Sequence, residues 1–488
     1  MQKVAVLLAK QRLEPTFLTQ MHLRVSLLAW TLAGSLLGCA GAGREPQPRQ
    51  DMGAVVPAEG WKSEAMAGEV GDGWIATFGE PRLVELVAEA LRNNPDIQAA
   101  AANLEAAQAG ARRAGAALLP SVGLNLGGNR NVPLEGIESA SLGASLDVGW
   151  EVDLWGRVAS ARRGAKEQFL ASAAEVAFAR QSLAAQTVKS WFLATEAKMQ
   201  LDLAREFAAN YADSLRIVQA RFDAGAVTQQ DVANAQADAA ASRQAVQQGE
   251  VAFREALRSL EVLIGRYPSA EIAVADALQV VPPPIPAGLP SELLERRPDI
   301  VAAEREVAAA FQFSKAAAAA RLPRIALTGS LGSTSNALSS LINPVSAATA
   351  FGASLFQPLF DGGLRQAEFD QAKASQKAAV ARYRSVALRA FQEVENALDR
   401  EASLRLQEES LLQAAQNYEK ARRIAETRYQ EGAVPLTDVL LTRRQELQAR
   451  TGLIRVRGER LAQRVNLHLA LGGNFAAGTI DLQPKPTL

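Results

Sequence analysis

Apolar positions along this chain follow two periods, one helical and one of two residues, and the two take turns. Leu83, Leu86, Val87, Ala90 and Leu91 recur at helical spacing until Asn93-Asn94 stops them. Pro95 opens the next helix, with Asn94 as a plausible N-cap and Asp96 near the positive end of the helix dipole, and Pro120 closes an Ala-rich run that ends near Ala117. The period then drops to two. Val122, Leu124 and Leu126 point one way and Ser121, Gly123 and Asn125 the other. After a polar loop, about Asn131 to Glu138, Leu142, Ala144, Leu146, Val148 and Trp150 oppose Gly143, Ser145, Asp147, Gly149 and Glu151. The helical period returns from about Leu154 to Phe222, where Met199, Leu203, Phe207, Tyr211, Leu215, Val218 and Phe222 step by fours and a three. At a rise of about 1.5 Å per residue, this uninterrupted run spans on the order of 100 Å. It closes at Gly225. A partner helix follows from Val227 to about Gly265, with Ala233, Ala235, Ala237, Ala239, Ala240 and Ala241 letting neighbours approach closely. The antiparallel return predicts a helical hairpin rather than a filament-type coiled coil.

The arrangement then repeats. Residues 266–290 read as a linker ending in Val-Pro-Pro-Pro-Ile-Pro. Beyond it, Arg297-Pro298-Asp299-Ile300 matches Asn94-Pro95-Asp96-Ile97, and Leu322-Pro323 matches Leu119-Pro120, each 203 residues on. Strands are predicted at about Arg324–Gly332 and Ala350–Phe360. A long helix follows over Gly363–Tyr429, with Val380, Tyr383, Ala387, Phe391, Val394 and Leu398 on one face, and its return helix runs from Pro435 to about Leu471. The run RFDAGAVTQQD (Arg221–Asp231) comes back as RYQEGAVPLTD (Arg428–Asp438). A period of about two hundred residues is too long for a solenoid unit, so it reads as a duplicated half-domain. The halves are 81–265 and 291–472, and the tail 473–488 is expected to be irregular.

Period-two alternation fits a membrane β-barrel and a half-buried soluble hairpin equally well. The membrane reading carries a demand of its own. Two strands per half make four per chain, four cannot close a barrel, and open strand edges do not persist in lipid. The chain would then oligomerise, and three copies supply twelve strands, an even number within the natural range. The fold class expected is a mixed α/β membrane protein. It is mostly long antiparallel helical hairpins, with four membrane strands per protomer completing a trimeric barrel. The helices hold no apolar run long enough to span a bilayer, so they are expected in the periplasm.

Composition narrows the chemistry. Lys+Arg and Asp+Glu both number 52, so no net field draws nucleic acid. Aromatics are 6% and Ala is abundant, which suits closely packed long helices. There are two His and one Cys, and His22 and Cys39 both precede the predicted body, which all but removes thiol catalysis and Cys/His zinc sites. No nucleophile elbow or phosphate loop is present, and nothing calls for a cofactor or resident metal.

The N-terminus reads as export machinery. Met21-His-Leu-Arg24 is a short basic region, Val25–Leu37 is an apolar run too short to span a membrane, and Leu36-Leu37-Gly38-Cys39 matches a lipoprotein cleavage site. An ordinary signal peptide containing a Cys has the same layout, but this Cys is the only one and stands at the cleavage edge. Residues 1–38 are therefore expected to be a signal peptide, with translation beginning at Met21, and Cys39 to carry the lipid. Ala at position 40, rather than Asp, lacks the inner-membrane retention signal. Residues 39–80 read as a tether, Pro- and Gly-rich up to about Gly73. One acyl chain holds a membrane only marginally, so outer-membrane lipid would be gripped by several chains or by an inserted body.

Several stretches carry a resemblance. DGWIATFGEPRLVELVAEALRNNPDIQAA from Asp72 and AGLPSELLERRPDIVAAEREVAAA from Ala287 resemble the outer-membrane factor family of TolC-like efflux ducts. DVGWEVDLWGRV from Asp147 and QPLFDGGLRQAEFDQA from Gln357 are similar to that family's strand-to-helix junctions. The lipoprotein signal is closest to its OprM-like, NodT-type branch. The resemblance covers about Asp72–Gly473. It implies a homotrimeric passive duct in the outer membrane, fed by a periplasmic adaptor and an inner-membrane pump, most naturally a proton-driven one of the resistance-nodulation-division type. It also implies a periplasmic end closed at rest by Asp side chains and ionic links near the helix tips. By register these are Asp231 and Asp438, with Leu441, Arg443 and Arg444 beside them, and the tips Gly225-Ala226-Val227 and Gly432-Ala433-Val434 would meet the adaptor. Many relatives carry Leu-Asp-Ala-Gln-Arg where this chain has Leu440-Leu441-Thr442-Arg443-Arg444, so a carboxylate is missing at Leu441. Asp231 and Asp438 read equally as caps of the return helices. The competing class is a structural coiled-coil envelope lipoprotein without transport activity.

Overall fold

The computed structural model describes residues 46–49, 60–66, 68–132, 139–336 and 347–475. The signal region, Cys39, most of the tether and the tail beyond 475 lie outside the described residues. Twelve elements carry the fold: α1 Pro81–Asn93, α2 Pro95–Ala116, β1 Ser121–Asn131, β2 Ser139–Val152, α3 Arg157–Asp223, α4 Gln229–Leu263, α5 Pro290–Arg296, α6 Pro298–Ala319, β3 Arg324–Ser335, β4 Ala347–Phe356, α7 Leu364–Gln430 and α8 Leu436–Ala470. A 3-10 turn, Trp74–Phe78, precedes them. The duplication is conserved in length: α2 and α6 have 22 residues each, α3 and α7 have 67, and α4 and α8 have 35. Helix length sets which faces meet across a hairpin. The strands and their loops take up the small offsets between halves.

Contacts divide the chain into two compact units. One holds Ala114–Gly164 and Ala310–Ser375. Here β1, β2, β3 and β4 form one antiparallel sheet in chain order. The register puts Val122, Leu124 and Leu126 opposite Val148, Leu146 and Ala144, and Trp150, Leu146 opposite Leu327, Leu331. Alternation then gathers these apolar side chains, with Phe351 and Leu355 of β4, on a single face, and that face is exposed. The opposite face is Gly, Ser, Asn and Thr at most positions. β4 stops at Phe356, short of the Phe360 expected, because Pro358 has no N–H to give a ladder. Below the sheet each long helix is started by an aspartate. Asp153 accepts from the N–H groups of Val158 (2.9 Å) and Ala159 (2.7 Å), and Asp361 accepts from those of Gly363 (3.1 Å) and Arg365 (3.3 Å).

The other unit holds Gln47–Arg113, Ala165–Ala309 and the chain from Gln376 on. Its main core packs Trp74 and Phe78 with Leu83, Leu86, Val188, Trp191, Phe192, Leu260, Ile264, Leu461 and Val465, each fully buried large apolar side chain being worth about 1.5–3 kcal/mol. A second cluster joins Leu203, Phe207, Tyr211 and Val218 of α3 to Val232 and Ala235 of α4 and to Leu436 and Leu440 of α8. The linker is not slack. Glu261 accepts the N–H groups of Ala270 (2.6 Å), Glu271 (2.8 Å) and Ile272 (3.1 Å), and Arg266 makes a two-point ion pair with Glu89. The tether is also tied down where it is described. Trp61 donates to the carbonyls of Ala287 and Gly288, and Glu395 accepts the N–H groups of Lys62 (2.8 Å) and Ser63 (2.9 Å). No helix among the described residues is long and apolar enough to cross a membrane.

Candidate functional site

The two hairpin tips share one backbone design. At the end of α3, Gly225 N–H donates to Phe222 O and Ala226 N–H to Arg221 O (both 2.8 Å). At the end of α7, Gly432 N–H donates to Tyr429 O (3.1 Å) and Ala433 N–H to Arg428 O (2.8 Å). These paired bonds satisfy the last carbonyls of each helix and require a left-handed residue, which glycine supplies at φ 73° and 75°. Nothing lies within 4 Å of a Cβ built on either glycine, so only the backbone angle excludes other residues. Ala226 and Ala433 are exposed, while Val227 and Val434 are half-buried. The Arg221 guanidinium sits 4.4 Å above the Tyr429 ring, joining one hairpin tip to the other.

Just past the tips, equivalent aspartates do different things. Asp231 is locked into a reciprocal cap: Thr228 N–H donates to its carboxylate (2.9 Å) and its own N–H donates to Thr228 Oγ1 (3.3 Å). In the second half Pro435 stands where Thr228 does and has neither hydroxyl nor N–H to exchange. Asp438 therefore sits exposed in the first turn of α8, with no side-chain hydrogen bond or ion pair among the described residues.

One turn further in, the predicted basic pair splits. Arg443 donates from Nε (2.9 Å) and Nη2 (2.7 Å) to Glu426 of α7, and from Nη1 to Ser214 Oγ and the Asn210 carbonyl of α3. Arg444 and Leu441 are exposed. Behind Arg443 lies a network that sequence reasoning missed. Glu446 is 2% exposed and paired with Arg422, which also holds Glu426 at 2.7 Å; Arg450 makes a two-point pair with Glu206 of α3 (2.6 and 2.8 Å). Burial works against the Arg422 charge, but Glu426 and Glu446 hold its guanidinium above the ordinary value. The Arg422/Glu426 and Glu446/Arg450 spacings of four were a readable signal. What they could not show was that the network crosses from one hairpin to the other.

Thus the site is mechanical: two exposed small-residue tips, an uncapped carboxylate at Asp438, and an ionic lattice bracing α3 against α7 and α8. Among the described residues no group of His, Cys, Asp and Glu is arranged to hold a metal ion.

Known proteins share this plan. The Outer membrane efflux protein family matches residues 86–266 and 289–473, one match for each half. The pyoverdine export outer membrane protein OpmQ of Pseudomonas aeruginosa is 34% identical over 475 residues, covering 92% of this chain and 97% of its own. The cation efflux system protein CusC of Escherichia coli is 31% identical over 414 residues, with 83% and 88% covered. The open-state MtrE outer membrane channel of Neisseria gonorrhoeae superposes with a TM-score of 0.78 at 28% identity, over 86% of this chain and 96% of that one. Duplicated halves, a sheet with one apolar face and braced hairpins thus accompany a family match across both halves: this chain belongs to the outer membrane efflux protein family and is an outer-membrane channel component of an efflux system.

Proposed function

We propose that three copies of this chain form one duct, which a periplasmic adaptor couples to an inner-membrane pump of the proton-driven type, and that small molecules leave through it without any reaction by the chain itself. The observation that carries the trimer is the sheet. β1 pairs only with β2 and β4 only with β3, so both outer edges are open among the described residues, beside an exposed apolar face. In lipid such edges need partners, and β1 of one copy against β4 of the next supplies them. A spacer lipoprotein would have no use for that face. The tips Gly225-Ala226-Val227 and Gly432-Ala433-Val434 are the adaptor contacts, and Asp438, Leu441 and the Arg443 lattice close the pore at rest. Asp231 serves first as a cap, and Arg444 stands at the rim. Acylated Cys39 adds a lipid anchor. OpmQ is named for pyoverdine and CusC for cations, so a common duct design serves unlike cargoes and the pump does most of the selecting.

Native mass measurement in detergent should give three protomers of 51.9 kDa each, less the signal peptide. In cells lacking their own duct, the chain expressed with its pump and adaptor should restore efflux. Gly432→Lys should abolish that efflux and leave the trimer intact. A stable monomer with no pore in a planar bilayer would end the proposal.

A further inference from the structure

The sheet carries four ionisable side chains among its described residues, and three of them are accounted for by position or pairing. Arg130 falls on the apolar face near the loop end of β1. Glu151 lies at the helix end of β2, held by the Arg157 fork at 2.8–3.0 Å and by Arg324 at 3.8 Å. Asp147 is different. It stands partway along β2 on the polar face, in register with Gly123 of β1 and Ser330 of β3. Its carboxylate accepts from Asn125 Nδ2 and from Ser145 Oγ (2.9 Å), both neutral donors, and no cation pairs with it in the sheet. Donors of this kind orient the carboxylate without supplying a counter-charge. The neighbouring positions are small: Gly123 stands opposite, Ser145 and Gly149 come next on the same face of β2, and nothing lies within 4 Å of a Cβ built on Gly123. The charge therefore stands over a floor of backbone and hydroxyls.

We propose that Asp147 sets the charge preference of the barrel lumen, three copies forming a carboxylate collar that favours cationic and zwitterionic solutes over anionic ones. This rests on the trimeric duct argued above, which turns the polar face inward and repeats Asp147 at one level. A ring of acidic side chains in a pore with low-dielectric walls raises local cation concentration and opposes anions. Asn125 and Ser145 are positioning residues that fix the height and direction of the carboxylate.

Reversal potentials in planar bilayers under a KCl gradient test it. Wild-type channels should prefer potassium, and Asp147→Asn should lower the potassium-to-chloride permeability ratio by about twofold to fivefold at low salt, where the Debye length approaches ~30 Å at 0.01 M. Asp147→Glu should keep the ratio. Asp147→Cys, treated from the loop side with a negatively charged thiosulfonate, should regain the preference, and a cationic thiosulfonate should invert it, each in three conductance steps. Conducting Asp147→Asn trimers with an unchanged ratio would overturn the collar and leave the duct standing. Failure of the wild-type chain to form any pore would remove both.

Discussion

The imidazole of His468 lies flat on the indole of Trp74, ring centroids 5.4 Å apart and planes 16° from parallel. The pair clamps the turn before α1 onto the last turn of α8. Trp74 is 2% and His468 3% exposed, and neither imidazole nitrogen has a hydrogen-bond partner among the described residues. Burial, aided by the nearby Arg464 charge, lowers the His468 pKa to about 4. A folded pKa below the ordinary 6.5 means the neutral ring is favoured. Its stability contribution is present above pH 6.5 and is lost as pH falls through about 4.

His468→Phe should keep the stack and remove that acid-linked loss, which amounts to about 3 kcal/mol per protomer. Melting of the detergent-solubilised protein should show little difference at pH 7.5 and a higher midpoint for the variant near pH 4. Parallel curves for the two proteins would contradict it. Trp74→Ala should cost about 3–5 kcal/mol at every pH, since it opens a cavity in the main core.

Glu196 of α3 has the opposite sign. Its carboxylate rests against Gly458 of α8, where any Cβ would overlap it. Burial, and then Glu459, push its pKa up to about 7 against the pull of Arg455. A carboxyl raised above 4.5 contributes stability that is full below that pH and is lost as pH rises through about 7. Glu196→Gln should flatten the stability profile over that window. A wild-type slope retained in Glu196→Gln would refute the assignment.

The two tip aspartates should separate by experiment. Asp231→Ala removes a reciprocal cap and should destabilise by about 1 kcal/mol with little change in resting conductance. Asp438→Ala removes only a favourable charge at a helix start, about 0.3–1 kcal/mol, and should raise resting single-channel conductance. Equal conductance in Asp438→Ala and wild type would leave Asp438 with no part in closure.

Much of this was legible because periodicity is a local property. The steps of Leu203, Phe207, Tyr211 and Val218 named one face of α3, and all four side chains are buried where the hairpins meet. The paired Gly-Ala-Val runs likewise announced two identical turns. Other features had no local signature. Trp74–Phe78 is a 3-10 turn because its ring system is captured by the main core, and Pro290–Arg296 folds as a short helix because Leu293 and Leu294 are buried. Arg464 is 1% exposed, paired with Glu401 at 2.6 Å and donating to the Pro282 and Pro283 carbonyls of the linker, a burial that only the fold creates. Asp231 and Asp438 looked equivalent by register, and one residue three positions earlier, Thr228 against Pro435, makes them different.

The same distinction between register and contact bears on closure. Arg443 and Arg444 are neighbours in sequence, but only Arg443 reaches across to α3, spanning Glu426 on one side and Ser214 with the Asn210 carbonyl on the other. Removing it severs a link between hairpins, whereas Arg422 stays with Glu426 and Glu446, so the lattice within the second hairpin survives. Arg443→Ala should therefore raise resting conductance with a modest loss of stability, about 1–3 kcal/mol for the freed buried partners. Arg443→Lys should recover only part of the closure, because a single ammonium cannot make the two-sided fork. Arg444→Ala, with an exposed side chain, should conduct like wild type. If both alanine variants opened the pore equally, charge at that level rather than the bridge to α3 would control closure.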